Sequence, residues 1–228
     1  MRTPVSNRAL PRLLLILLAA APLLLGGTAS AAVGPAPAAP PNPVLVAGTF
    51  TAYSAGATAV TYDKAVPEGA RASVLVATDL PQWAERESGR PGAEGAEEHE
   101  AMRELARHKG SGTGFVLHVG GLEPDRDYGA HLHTKPCGPT GDDAGPHYQH
   151  EVDPVQPSTD PEYANAENEA WLDFHTSPFG DAITGTAVEW TPRPGQAGSV
   201  VIHEEHTHTQ PGHAGMAGAR LACINVPL

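Results

Sequence analysis

The amino-acid sequence predicts an all-β protein, an antiparallel β-sandwich or barrel of roughly eight strands. Short apolar, β-branched runs recur along the chain between turns rich in Gly and Pro, and the 228 residues include 25 Gly and 23 Pro. In the clearest run, Phe115, Leu117 and Val119 alternate with Val116 and His118, which is the period-two pattern of a strand with one buried face. Together these features indicate the fold class.

Residues 1–31 predict a signal peptide. Residues 1–12 carry three arginines and no acidic residue, residues 13–25 are a mainly Leu and Ala run of 13, and residues 29–31 (ASA) fit a small-residue cleavage site. The run is short for a bilayer span and is broken by Pro22, so an uncleaved membrane anchor is the weaker interpretation. No cysteine lies near the cleavage site, which argues against a lipid anchor. We expect a secreted mature chain with no membrane partner.

The net charge argues against some classes of binding partner, and the two cysteines bear on the disulfide content of the exported chain. Removing residues 1–31 takes away three of the 14 basic residues and none of the 26 acidic ones, so the formal net charge falls from −12 to −15. This charge argues against nucleic acid or an anionic membrane as a partner. The two cysteines, Cys137 and Cys223, are expected to form one disulfide in an exported chain.

The mature chain divides into a short linker and one domain. Residues 32–43 are rich in Ala and Pro and predict an extended or disordered linker. Residues 44–228 are long enough for one domain with a substantial core. In chain order, the predicted strands lie at 44–53, 59–62, 72–77, 115–119, 128–133, 171–174, 183–190, 199–203 and 220–226.

Two stretches interrupt the strand pattern. Residues 78–113 are rich in Glu, Arg and Gly and are interpreted as an insertion. In its second half, 96–109, apolar residues recur at helical spacing, so a short surface helix competes with disorder. Residues 134–168 form a long loop of Pro, Asp, Glu and Gly that contains His147 and His150. Long loops in compact domains are usually functional or disordered, and the histidines favour function.

A His-x-His pair in the predicted strand 128–133 is the first sign of chemistry. His131 and His133 are two residues apart, so in a strand both imidazoles point to one face. Two nitrogen ligands on a rigid strand supply half of a square-planar site, a geometry that suits Cu(II). Taken alone, the pair favours two surface histidines on an ordinary strand, because His-x-His is a weak motif.

The order of the other histidines and of both cysteines strengthens the metal interpretation. A Gly-x-His-x-His segment is followed by a cysteine, a Gly-Pro-His segment, a Val-Val-Ile-His segment and a Gly-Ala-Arg-Leu-Ala-Cys segment. These stand at 129–133, 137, 145–147, 200–203 and 218–223. In this order they resemble the copper/zinc superoxide dismutase family, of the secreted bacterial type, over residues 44–228. The resemblance implies a Greek-key β-barrel with long metal-site loops.

Carried over position by position, the resemblance assigns a copper site. His131, His133 and His203 match copper ligands. His147 matches the catalytic histidine that bridges copper and zinc, and so is the fourth copper ligand. Arg220 matches the active-site arginine whose guanidinium attracts the superoxide anion. The resemblance also implies that the two cysteines pair and tie the long loop to the barrel.

The zinc half of the resemblance does not carry over. The positions where the family has a zinc-binding His and Asp are occupied by Asn168 and Trp171, and neither is a good zinc ligand. This departure resembles the copper-only branch of the family and leaves zinc an open question. Some residues remain as candidates for a second metal site or for copper loading, although solvated loop residues are the simpler interpretation. These are His150, Asp153, Asp173, His175, His206, His208 and His213.

Without zinc, the second ring nitrogen of His147 needs another partner. Ligand histidines are normally oriented by a hydrogen bond from the ring nitrogen that does not bind the metal. We expect Glu204 or Glu205, which directly follow His203 in the sequence, to supply it.

The resemblance implies a secreted, copper-dependent superoxide dismutase that converts two superoxide anions and two protons into oxygen and hydrogen peroxide. The alternative is a non-catalytic copper-binding or structural β-sandwich that keeps the fold. Arg220 favours the enzyme, because a copper store needs no anion guide, whereas the missing zinc ligands point weakly the other way. Attraction of the anion has to be local, through Arg220 and Lys135, since the net charge repels it at long range. The sequence leaves the oligomeric state open.

Overall fold

A computed structural model describes residues 43–78 and 112–228. The predicted signal peptide, nearly all of the linker and most of the predicted insertion lie outside the described residues. This part of the chain contains ten strands and one short 3₁₀ helix, η1. They are β1 (Val44–Thr51), β2 (Ala59–Thr61), β3 (Arg71–Thr78), β4 (Thr113–Gly120), β5 (Asp127–Tyr128), β6 (Ala130–His133), η1 (Gly141–Ala144), β7 (Phe174–His175), β8 (Ala182–Val188), β9 (Ser199–His203) and β10 (Arg220–Asn225).

Eight strands form one curled sheet, a half-barrel, in the order β6-β9-β10-β2-β1-β3-β4-β8. Neighbouring strands are antiparallel except β1 and β2, which pair in parallel where Phe50 faces Ala59. The chain places β1, β3 and β4 side by side, crosses to β6, returns to set β8 beside β4, and crosses again to β9. These crossovers give a Greek-key order. The predicted all-β fold class is confirmed.

The core lies on the concave side of the sheet. Phe115, Leu117 and Val119 of β4 are at most 1% exposed and His118 is exposed, as predicted, but Val116 on the other face is also buried, in a small second cluster. Each large apolar side chain buried in this way contributes about 1.5–3 kcal/mol to folding. Packing in this core keeps β6 and β9, the strands that carry three of the histidines, in register with each other. The other large side chains buried in it include Phe50, Tyr128, Leu132, Tyr148, Leu172, Ile202 and Ile224.

The predicted strand 128–133 is interrupted at Gly129. On one side of this residue, β5 pairs with β7 in a separate two-stranded sheet, and on the other side β6 pairs with β9. The Gly129 carbonyl accepts a hydrogen bond from the backbone N–H of His203 at 2.7 Å. A Cβ at this position would lie 2.6 Å from the carbonyl oxygen of Glu205, so a side chain here would collide with the backbone that follows β9. Glycine therefore allows the end of β9 to lie against the start of β6.

The long connection between β6 and β7 folds back onto β6. Isolated bridges join His133 to His147, His131 to Trp171 and Gln149 to Glu169. The strand expected at 171–174 does not form as one element. Trp171 makes only an isolated bridge, and Phe174 belongs to the two-residue strand β7. The sulfur atoms of Cys137 and Cys223 lie 2.04 Å apart, at disulfide distance, and attach the start of this connection to β10. Within residues 43–78 and 112–228, no helix has the length and apolar character needed to cross a membrane.

Candidate metal centre

Four histidines converge at one end of the half-barrel. His131 and His133 lie on β6, His203 ends the neighbouring strand β9, and His147 reaches β6 through its bridge to His133. One ring nitrogen from each of the four lies within 4.8 Å of the others, which makes this group able to hold a metal ion. The structure therefore brings together all four residues that the resemblance assigns to copper.

Hydrogen bonds on the outer side of the rings leave nitrogen atoms facing one another inside the group. His133 Nδ1 lies 2.9 Å from the carbonyl oxygen of Gly145, and His133 Nε2 lies 3.3 Å from His203 Nε2. His131 is fully buried, and its Nδ1 atom has no hydrogen-bond partner. An unpartnered buried nitrogen costs about 1–3 kcal/mol, and a metal ion at this position removes that cost. The donor set thus fits a metal ion with imidazole ligands.

Burial lowers the pKa of three of the four imidazoles. The pKa values of His131 and His133 lie well below the ordinary 6.5, and the pKa of His203 falls to about 3. The neighbouring imidazoles and the Arg220 guanidinium lower these pKa values further, because positive charges disfavour one another. The three rings are neutral at neutral pH, which is the form that binds a metal.

Glu169 is the partner of His147. Its Oε2 atom lies 2.8 Å from His147 Nδ1 and 2.7 Å from the indole nitrogen of Trp171, and its Oε1 atom accepts a hydrogen bond from Gln149 at 2.8 Å. The side chain is 2% exposed. The sequence interpretation missed Glu169, because Glu167, Asn168 and Asp173 stand close to it and no local pattern sets it apart.

The expectation that Glu204 or Glu205 orients His147 is therefore wrong. The Glu204 carboxylate is exposed and accepts a hydrogen bond from the backbone N–H of Ala219 at 3.2 Å. The Glu205 carboxylate lies 3.3 Å from His208 Nε2 at the surface. The chain leaves the end of β9 in a turn, so these two carboxylates lie on the outer side of the loop.

The two residues at the expected zinc positions have other roles. The Asn168 amide nitrogen donates to the carbonyls of Glu151 and Tyr163, both at 2.8 Å, and its oxygen accepts from the Glu151 backbone at 2.7 Å. Asn168 thus holds the long connection together. Trp171 donates to Glu169 and lies edge-on to the His131 ring, with centroids 6.1 Å apart. Both side chains support the histidine group.

The candidates for a second metal site are dispersed among local contacts. The His150 ring stacks on Trp190 at 5.6 Å, and the Asp153 carboxylate accepts from the Ser158 hydroxyl at 2.7 Å. His175, on β7, lies 2.8 Å from the exposed carboxylate of Asp127, and His206 lies 3.5 Å from the same carboxylate. In the loop after β9, His208 lies 3.3 Å from Glu205, and its ring centroid is 6.4 Å from that of His213. Among the described residues, the four-histidine group is the one that meets the geometry of a metal site.

Arg220 lies beside the histidine group, in a cleft of about 730 Å³. Its Nη1 atom donates to the carbonyls of Gly141 at 3.0 Å and Gly145 at 2.8 Å. Burial lowers the pKa of Arg220 below its ordinary value, but a guanidinium stays charged at neutral pH. His147, His203 and Met216 also line the cleft, so the guanidinium and two of the four histidines share one opening to solvent.

The chain was compared with known proteins. No protein-family model and no curated protein matches it. Among solved structures, it is similar to a double mutant of a SOD-like protein from Bacillus subtilis, with a TM-score of 0.41 and 18% identity over 53% of this chain and 84% of that chain. A single mutant of a SOD-like protein from the same organism gives a TM-score of 0.42 and 16% identity over 53% and 85% of the two chains. At this level of similarity, the chemistry of the site rests on the residues of this chain.

Proposed function

We propose that the protein is a copper-dependent superoxide dismutase. The observation that carries this proposal is the group of four converging imidazoles, two of which line the same cleft as one guanidinium. The imidazoles are suited to a metal ion, and the guanidinium is suited to a small anion. A copper-storage site needs the first feature but not the second.

Copper is the metal that the donor set favours. All four donors are imidazole nitrogens, and imidazole-rich sites bind Cu(II) more tightly than other divalent metals of the first row. A zinc ion bridged by His147 is not supported, because the Nδ1 atom of that ring is engaged by Glu169. Asn168 and Trp171 are likewise committed to hydrogen bonds within the protein. The proposed site therefore holds copper without a zinc neighbour.

The proposed reaction converts two superoxide anions and two protons into one molecule of oxygen and one of hydrogen peroxide. Copper, when bound, supplies the one-electron couple that takes an electron from one anion and returns it to the next. Arg220 supplies local positive charge, which matters because the formal net charge of the chain is −12 and repels anions at long range. Two carbonyl groups hold the guanidinium in place, so it does not have to be ordered when the anion arrives.

His147 and Glu169 are suited to handling a proton. His147 Nδ1 carries a proton that it donates to Glu169, which leaves Nε2 free to face the histidine group. Nε2 has a single lone pair, so it would hold either copper or a proton; with a proton there, the ring would be a cation, and the buried carboxylate at 2.8 Å would lie beside that charge. His147 Nε2 can then return the proton to reduced substrate. Glu169 therefore takes the place that a second metal ion would have beside this ring.

We also propose that the protein is exported. The two cysteines at disulfide distance are compatible with an oxidising compartment, where disulfides persist. Superoxide is the small-molecule partner of the proposed site.

Metal analysis combined with a dismutation assay tests the proposed function. Purified mature protein is loaded with copper, freed of excess metal, and analysed for copper and zinc by mass spectrometry. We expect one copper and no stoichiometric zinc per chain. His131→Ala should lose copper and activity. Arg220→Gln should keep copper but lose at least about tenfold in kcat/KM, because the local charge that attracts the anion is removed.

Arg71→Gln serves as the matched control, because Arg71 is exposed at the start of β3. It should retain wild-type kcat/KM. Copper-loaded protein without activity above that of aqueous copper would overturn the enzyme proposal and leave a copper-binding sandwich. Stoichiometric zinc that is lost in His150→Ala or His175→Ala would overturn the proposal of a site without zinc.

A further inference from the structure

We propose that Met216 and His208, with His213 beside them, form a Cu(I)-binding site at the rim of the cleft, from which copper passes to the four-histidine group. The passage to that group rests on the proposed function, whereas binding of Cu(I) at this rim site does not. Met216 lines the same cleft as His147 and His203, and it is 48% exposed.

The thioether of Met216 is a different kind of ligand from those of the four-histidine group. Within residues 43–78 and 112–228, Met216 is the only methionine. Thioether sulfur is a soft ligand that selects Cu(I), and imidazole also binds copper. The imidazoles and carboxylates of this loop do not converge as a metal site by themselves, so the sulfur is what gives the loop a donor set for Cu(I).

A glycine bulge holds Met216 opposite His208. The backbone N–H of His208 donates to the Met216 carbonyl at 2.8 Å, and the backbone N–H of Gly215 donates to the His208 carbonyl at 2.9 Å. Gly215 has a φ of +78°, so it is the extra residue of a bulge in which two residues oppose one. Met216 therefore stands directly opposite His208. Directly opposed side chains lie on one face, with Cβ atoms about 4.5–5.5 Å apart.

The same loop brings a second imidazole to this pair. The backbone N–H of Met216 donates to the His213 carbonyl at 3.0 Å, and the ring centroids of His213 and His208 are 6.4 Å apart. The His208 side chain is partly exposed, and its Nε2 atom lies 3.3 Å from a carboxylate oxygen of Glu205. The imidazoles are therefore accessible to an incoming ion, and the carboxylate adds negative charge that favours a cation.

Gly215 also connects the rim site to the four-histidine group. A Cβ at Gly215 would lie 3.9 Å from His147 Nδ1 and 3.8 Å from Glu169 Oε2, so the residue next to Met216 packs against a proposed copper ligand. The formal net charge of −12, which repels superoxide, attracts a copper cation at long range. A cation held at the rim then moves along the cleft to reach His147 and His203.

Silver(I), a redox-inert ion with ligand preferences like those of Cu(I), tests binding at the rim site. Metal-free protein with ¹³C-labelled methionine methyl groups is titrated with Ag(I), and Met216→Leu assigns the Met216 signal. We expect this signal to shift, and we expect native mass spectrometry to find one more Ag(I) on wild type than on Met216→Leu. His208→Gln should weaken this binding at least about tenfold, because one ligand is lost.

Two controls distinguish the rim site from a thioether that is merely exposed. Leu45, on β1, is 68% exposed and faces Leu75 of β3. The double variant Met216→Leu/Leu45→Met presents a methionine sulfur beside an apolar neighbour, so it should not regain the lost Ag(I). His118→Gln, at an exposed histidine of β4, is the matched control for His208→Gln and should keep wild-type affinity.

The rate of copper loading tests the passage to the four-histidine group. Metal-free protein is mixed anaerobically with Cu(I) buffered by a chelator, and the imidazole signals of His131 and His133 report filling of the group. We expect Met216→Leu to fill several-fold more slowly than wild type but to reach the same final copper affinity, because the four ligands are intact. Since the ion passes on, the loaded protein still holds one copper per chain.

The outcomes separate this inference from the proposed function. A Met216 methyl signal that does not shift with Ag(I), or Ag(I) regained in the Leu45→Met double variant, would overturn the rim site. Equal loading rates in wild type and Met216→Leu would overturn the passage of copper. Protein that binds Ag(I) at Met216 but holds no copper at the four-histidine group would overturn the proposed function and leave the rim site standing.

Discussion

Replacing Glu169 with glutamine tests the buried network behind His147. The substitution keeps the shape of the side chain but removes its charge and one of its two acceptor atoms. In the wild type, the carboxylate accepts from His147, Trp171 and Gln149 at 2.7–2.8 Å while only 1% exposed. We expect Glu169→Gln to be markedly less stable, because one of these donors loses its partner inside the protein.

The cost follows from the geometry of the three bonds. If the new amide oxygen stays near His147 and Trp171, the amide nitrogen faces the amide nitrogen of Gln149, and two donors oppose each other. Gln149 is held in its orientation because its oxygen accepts from the Asp153 backbone at 3.0 Å. A hydrogen bond to a charged group contributes about 1.5–3 kcal/mol, and an unsatisfied buried donor costs about 1–3 kcal/mol. These contributions overlap, so the free energy of unfolding should fall by about 2–4 kcal/mol.

Urea unfolding of metal-free protein at neutral pH measures this difference, with tryptophan fluorescence as the signal. Glu167→Gln is the matched control, because Glu167 is exposed two residues earlier in the same segment. The control should lie within about 0.5 kcal/mol of wild type. The reasoning is refuted if Glu169→Gln unfolds within the same margin, since a satisfied buried carboxylate cannot be replaced at no cost.

Two further predictions concern the disulfide and the buried imidazoles. Replacing Cys137 and Cys223 with alanine should lower the free energy of unfolding by up to about 4–5 kcal/mol, because the bond closes a loop of 86 residues; urea titrations that coincide with wild type would contradict this. Metal-free protein should also lose stability as the pH falls from about 6.5, because burial lowers the pKa of His203 to about 3 and those of His131 and His133 well below 6.5. The unfolded chain binds more protons in that window, so each imidazole adds a slope of up to about 1.4 kcal/mol per pH unit. Unfolding measured between pH 7 and pH 4 should show the slope, and a flat profile would argue against neutral buried imidazoles.

The histidine group was predictable because the order of its sequence motifs resembles that of a known family; the local patterns by themselves only place the individual histidines. The period of a strand places His131 and His133 on one face, and His203 ends a run of apolar β-branched residues. His147 follows a Gly-Pro turn in a loop long enough to return to the strand. Each of these features is set by a few neighbouring residues, which is the range over which sequence patterns are informative.

The residues behind the histidines were not predictable in the same way. Sequence adjacency to His203 favours Glu204 or Glu205 as the partner of His147, but the chain turns away after β9. Glu169 reaches His147 from a position 22 residues later, through bridges that form only when the long connection folds back on itself. Thr207, which contacts His131, is even farther from it in the sequence, at 76 residues. Contacts of this kind depend on the tertiary fold.

One peptide oxygen serves two functional groups. The carbonyl of Gly145 accepts from His133 Nδ1 at 2.9 Å and from Arg220 Nη1 at 2.8 Å. Gly145 has a φ of +74°, and a Cβ there would lie 2.6 Å from the Thr134 hydroxyl, so the position is restricted to glycine. Any change that moves this carbonyl alters the orientation of the His133 imidazole and the position of the Arg220 guanidinium at the same time. For the proposed function, such a change would affect metal binding and anion attraction together, whereas a substitution of Arg220 itself would affect only anion attraction.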